Sequence, residues 1–155
     1  MDDKLFYICQ KWLFLFAVGM VIFGLILAVF SQAPLFDLIF NQSINVVFWG
    51  SDNLSSAHVI DFQQWIYGVL GATISGWGLS IAFIAAKPFS NRENWAWSCI
   101  ASSITLWYIT DTLISVYFNV YINVIFNTII LLGIAAPLAL SRKFFSHHHF
   151  HVDNQ

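Results

Sequence analysis

The chain has 155 residues, of which 59% are hydrophobic, 18% aromatic and only 9% charged, with a formal net charge of −2. A soluble domain carries about 25% charged residues, so this composition cannot cover a water-facing surface. Six basic residues, never more than two together, also argue against an extended nucleic-acid-binding stripe.

The length is that of one domain. Four apolar runs, 12–30, 62–86, 95–118 and 121–140, can each cross a hydrocarbon core of about 30 Å, which takes about 20 helical residues. The predicted fold is all-α: an integral, multi-pass membrane protein forming one four-helix bundle over 1–155, with a His-rich cytoplasmic tail at 141–155. Lys4 and Lys11 precede the first run, Lys87 and Arg92 separate the second from the third, and Arg142 and Lys143 follow the fourth. The other two connections contain no Lys or Arg, so the positive-inside rule predicts that both termini are cytoplasmic.

The first run is the most uniformly apolar and is expected to meet the most lipid. Its Gly24 and Ala28 form a small-xxx-small pair that permits close approach of a neighbour. Ser31, Gln32 and Ala33 offer small residues of the kind found at a leader cleavage site. The apolar run is longer than a usual signal core, however, and Pro34 would follow the cut, so a retained helix is expected. The connection after it predicts a short interfacial helix over 34–49, an amphipathic cover on the bundle. Leu35, Phe36, Ile39, Phe40, Val47 and Phe48 would form its apolar face, with Asp37, Asn41 and Gln42 pointing elsewhere. Gly50 to Asn53 reads as a turn.

In the second run Gly68, Ala72, Gly76 and Ser80 recur every four residues, beside a further small-residue face of Gly71, Ser75, Gly78 and Ala82. So many glycines, each costing about 1 kcal/mol in a soluble helix relative to alanine, predict backbone contact on two sides and a central place for this helix. The third run should start with a capping box from Ser90 to Glu93. Trp95, Trp97 and Trp12 would form an aromatic belt. Taken straight, residues 95–140 would span about 69 Å, so the chain must turn, and 119–123 is the place for a tight hairpin supported by Asn. Pro137 should loosen the last turn of the fourth helix. Cys9 and Cys99 are expected to be small packing residues without a disulfide.

Asp111 stands out, because it lies in a stretch, 97–117, that holds no other charge. A carboxylate at bilayer depth costs about 3 kcal/mol on insertion scales and normally faces a partner, a cavity or a pathway. Trp107, Asp111, Ser115 and Asn119 are successive i, i+4 neighbours, and Asn123 and Asn127 are one turn apart on the next helix. With Asp61, Gln64 and Tyr67 at the same level and Tyr117 and Tyr121 beside the hairpin, these residues predict a polar cup open to the outside. Trp107 forms its floor, and Trp77 reaches a similar depth on the second helix. The cup would bind a small ligand or a proton, with Asn123 and Asn127 orienting Asp111, or would serve only as interhelical hydrogen-bond glue.

Other chemistry is poorly supported. His58 and Asp61 lack a second external histidine, and the run from His147 to His151 lacks defined spacing on a rigid element. There is no CxxC pair, no HExxH, no nucleophile elbow and no phosphate-cradling loop, so neither a cofactor nor a catalytic set is expected. The first run lacks the acid that small multidrug transporters carry there. The primary expectation is a non-enzymatic ligand-binding membrane protein whose partner is the lipid bilayer. The second is an accessory subunit that associates, as a homo-oligomer or with a larger membrane partner, through its glycine faces. A lipid-directed enzyme ranks third.

Overall fold

The computed structural model describes residues 2–50 and 57–145. Of the turn predicted at 50–53, residues 51–53 lie outside the described residues, as does the tail from His147 to His151. Within them all regular structure is helical: α1 (Asp2–Phe30), a segmented α2 (Pro34–Phe36, Asp37–Asn41, Gln42–Trp49), α3 (Ala57–Ala86), α4 (Asn94–Tyr117) and α5 (Tyr121–Ser141). Four of these, α1, α3, α4 and α5, are long and apolar enough to cross a membrane. Two begin earlier than hydropathy predicts. The first turns of α1 pack Phe6 against Phe89, Phe144 and Phe145, a tertiary contact that no hydropathy window contains.

The centre of the assembly is α1, not α3. α1 packs along α3 on one side and α5 on the other, α4 packs on α5, and α3 and α4 barely meet. The expectation that the first helix meets the most lipid is therefore corrected: α4 is the least buried of the four. The reason lies in one face of α3. A side-chain carbon added at Gly24 would stand 2.5 Å from the Gly71 carbonyl oxygen, and one at Gly71 would stand 2.7 Å from the Ala28 nitrogen. Gly78 meets the Ala17 carbonyl in the same way, and the Ser75 hydroxyl crosses the interface to the Val21 carbonyl at 3.1 Å. Backbone contact occurs on this side alone. Gly68 and Gly76 have open space where a Cβ would be, and Ala72, Gly76 and Ser80 are exposed, so the Gly68–Ser80 stripe does not pack within the chain.

Both tight connections close with paired backbone bonds around a left-handed residue. After α4, the N–H groups of Asn119 and Val120 reach the carbonyls of Val116 and Ser115, with Asn119 at φ 59°. Asn tolerates this conformation better than other non-glycine residues. After α3, Arg92 holds the same position at φ 59°. It is fixed there by Asp3 at 2.5 Å and by the Phe6 ring, 4.7 Å from its guanidinium. The predicted capping box is absent. Ser90 turns back to the carbonyls of Ala86 and Lys87, and Glu93 accepts from the Trp95 indole at 2.6 Å.

Side chains of α1 complete the backbones of its neighbours. Pro137 has no N–H to offer the Gly133 carbonyl one turn earlier, and the Trp12 indole donates to that carbonyl at 2.8 Å. Gln10, buried, donates to the Ala85 carbonyl at 2.9 Å, where Phe89 reaches past it to Ile84. Cys9 is buried as expected of a packing residue, whereas Cys99 is exposed.

α2 follows its predicted amphipathicity only in part, with Asp37 and Gln42 exposed and Phe36 buried as expected. Its buried residues are Phe36, Asn41 and Asn45, while Leu35, Leu38, Val46 and Val47 are exposed. The five-residue spacing from Phe36 to Asn41 fits one face only because Asp37–Asn41 is a wide π-helical turn. Asn41 donates to the Ser31 carbonyl at 3.3 Å, and Asn45 accepts from Gln63 of α3.

Gly71→Ala is expected to lower stability by about 1–3 kcal/mol, read by thermal unfolding in detergent, while Gly76→Ala leaves it unchanged or raises it. Equal effects at the two positions would mean that the α1–α3 backbones are not in contact. A double-mutant cycle tests the Trp12 bond: Trp12→Phe should cost about 1 kcal/mol beside Pro137 and close to nothing beside Pro137→Ala, whose restored N–H serves Gly133.

Candidate functional site

The α4–α5 hairpin sets two polar faces against each other. Asn123 donates to the Asp111 carboxylate at 2.6 Å and to the Ser115 hydroxyl at 2.8 Å, and Ser115 contacts the Asp111 carboxylate at 3.2 Å and its carbonyl at 2.7 Å. One turn further in, Asn127, 2% exposed, donates to Thr112 at 3.3 Å. Next comes a contact between the Tyr108 and Thr128 hydroxyls at 3.4 Å. The result is a ladder of polar pairs along an otherwise apolar interface. Thr112, Thr128 and Tyr108 extend it beyond the predicted constellation. Their signal was available in the sequence, since Tyr108 and Thr112 are an i, i+4 pair beside Asp111 and Thr128 follows Asn127 directly.

Open space lies beside the ladder. A cavity of about 330 Å³ is bounded by α1 (Met20, Phe23, Leu27), α3 (Tyr67, Leu70, Ile74, Trp77), α4 (Trp107, Asp111, Ile114, Ser115) and α5 (Asn123, Phe126, Asn127, Ile130). Phe40, Ile44 and Phe48, successive i, i+4 neighbours on α2, form a further wall, with Phe40 4.5 Å from Phe126 between ring centres. A shallower recess of about 580 Å³ on the α3–α4 seam shares Trp77, Trp107, Asp111 and Ile114 with the cavity. The Trp77 and Trp107 rings stand 5.4 Å apart across that seam, where the two helices otherwise hardly touch.

The predicted cup is thus gathered in part. Asp111, Ser115, Asn123, Asn127, Trp107 and Tyr67 all line the cavity. Tyr117, Asn119, Asp61 and Gln64 do not. Tyr117 is 79% exposed and packs edge-on against Phe118. Asn119 has left the helix to make the turn, and Tyr121 bonds to it there, beside the hairpin. Asp61 and Gln64 face outward, and it is Gln63 that turns inward to Asn45. The surroundings are mainly aromatic and aliphatic, so the site is an apolar chamber with one polar wall rather than a polar cup. Tyr67 is 8% exposed, and its hydroxyl has no hydrogen-bond partner among the described residues. No three metal-ligating side chains converge among those residues.

Asp111→Asn keeps an acceptor oxygen for Asn123 and Ser115 and is expected to fold. Asn123→Ala removes two donated bonds, each worth about 0.6 kcal/mol in membrane proteins, and should lower stability by about 1 kcal/mol in thermal unfolding. A larger loss in Asp111→Asn than in Asn123→Ala would mean that the carboxylate charge itself holds the hairpin together.

Comparison with family models, curated proteins and solved structures yields no match.

Proposed function

We propose that the chain is a non-enzymatic, multi-pass membrane protein that binds a small ligand in the chamber beside Asp111. The observation that carries this reading is the coexistence of a satisfied polar ladder and an adjoining cavity of about 330 Å³. Hydrogen-bond glue needs the first and has no use for the second. A volume above about 300 Å³, mostly apolar walls and a few convergent polar groups are the attributes of small-molecule sites.

The bilayer setting is supported by the surface. Leu15, Leu25, Val29, Phe83, Leu106 and Leu132 are all at least half exposed. In the proposed orientation both termini and all six basic residues lie on the cytoplasmic side, α2 sits in the outer half of the bilayer, and the chamber lies beneath it.

The second reading, association as an accessory subunit or homo-oligomer, draws on the open stripe of Gly68, Ala72, Gly76 and Ser80. A small-residue stripe exposed to lipid suits close helix approach.

Ligand binding is tested with isobutylbenzene as a neutral apolar probe. Binding to the folded state alone raises stability by about 2.7 kcal/mol at a hundredfold excess over Kd. A saturable rise in Tm is therefore expected for the wild type in phosphatidylcholine nanodiscs. It should be lost in Ile130→Trp and in Ile74→Trp, each of which fills the chamber. An unsaturable rise, or the same rise in the filled variants, would sink the reading.

A further inference from the structure

The chamber's charge is one-sided. Asp111 is the single acidic residue that lines it, and no basic residue lines it among the described residues. The six Lys and Arg residues of the chain stand at positions 4, 11, 87, 92, 142 and 143, all at the opposite end of the helices from the hairpin. Both side-chain donors to the carboxylate, Asn123 and Ser115, converge on Oδ1, and among the described residues no hydrogen bond reaches Oδ2. A carboxylate in an apolar enclosure requires a compensating positive charge or a proton. The described residues supply no such positive charge here.

The walls favour a cation as well as the carboxylate does. Trp77, Trp107, Phe126 and Tyr67 present aromatic rings to the same space, and a cation within about 6 Å of such a ring centre is attracted by about 0.5–2 kcal/mol. The remaining lining is hydrocarbon, which suits an apolar body.

Resting on the reading of the chamber as a ligand site, we infer that its ligand is a lipophilic monocation: one protonated amine on a compact ring-bearing body. The nitrogen pairs with Asp111, and the rings of the walls enclose it. The shared recess on the α3–α4 seam lets such a molecule arrive sideways, from within the bilayer.

Two isosteric probes test this in nanodiscs of zwitterionic phosphatidylcholine, with protein-free discs subtracted. N,N-dimethylbenzylamine is protonated at pH 7, and isobutylbenzene carries a CH group in place of its nitrogen. Titration calorimetry on the wild type should give the amine at least tenfold tighter binding than the hydrocarbon. Asp111→Asn should erase that advantage while leaving isobutylbenzene binding intact, which also shows that the variant is folded. Equal affinities on the wild type, or an amine advantage that survives Asp111→Asn, would overturn the cation assignment and leave the chamber a site for neutral ligands. Failure of both probes to bind the wild type would overturn the assignment together with the ligand-site reading beneath it.

Discussion

Where α1 crosses α3, no side chain separates the two backbones. Gly24 and Ala28 meet Gly71, and Gly78 meets Ala17. Helices usually pack with axes 8–10 Å apart because side chains lie between them, and removing the side chains draws α3 in toward α1. That close approach has a geometric consequence elsewhere. α1 also carries α5 on its other flank, and α5 carries α4 through the hairpin, so α4 stands far from α3. The gap between α3 and α4 is the space that the chamber and its recess occupy. Trp77 and Trp107, the largest side chains available, reach across it and meet ring to ring.

A second constraint acts on every polar group away from water: backbone carbonyls freed within apolar surroundings need donors. α1 provides them. Trp12 serves the carbonyl that Pro137 cannot, and Gln10 serves Ala85 near the end of α3. On α4 the Trp97 indole donates to the Leu138 carbonyl at 2.9 Å, with Arg142 stacked 4.0 Å from its ring. The tryptophans at this end therefore act as specific donors as well as amphipathic anchors. Gly133 allows this arrangement, because a side chain there would collide with the Phe16 ring.

The four long helices and the hairpin at Asn119 were legible in the sequence because they follow from hydropathy and length, which are local properties. Gathering Asp111, Ser115, Asn123 and Asn127 at one level was legible too, since helical periodicity and a tight turn leave little freedom. Three features escaped. Of the two small-residue faces on α3, the glycine count could not say which meets α1, and the face that does is the one holding Ser75, whose hydroxyl finds the Val21 carbonyl. On α2 amphipathicity placed Phe36, Phe40 and Phe48 toward the bundle and Asp37 and Gln42 away from it, but missed the buried Asn41 and Asn45. The wide turn at Asp37–Asn41 then shifted the register by one residue, so that Asn41 and Asn45 rather than Leu35 and Val47 face inward. Gln63 and Gln64 are adjacent and chemically identical, and only the position of Asn45 selects between them.

Asp111 shows why structural glue and ligand site are poor opposites for a half-buried carboxylate. A carboxylate has two oxygens and about four lone-pair directions. Asn123 and Ser115 engage Oδ1 alone. That arrangement holds the side chain in one orientation and ties α4 to α5, as glue would. It also leaves the second oxygen unbonded in a residue that lines the chamber, held by a hairpin rather than a flexible loop. Fixing one oxygen lowers the entropy lost when a ligand takes the other, since the rotamer is already chosen. The contacts that stabilise the hairpin are therefore the same contacts that pre-organise the site. A loss of Asn123 would be felt in binding as well as in folding.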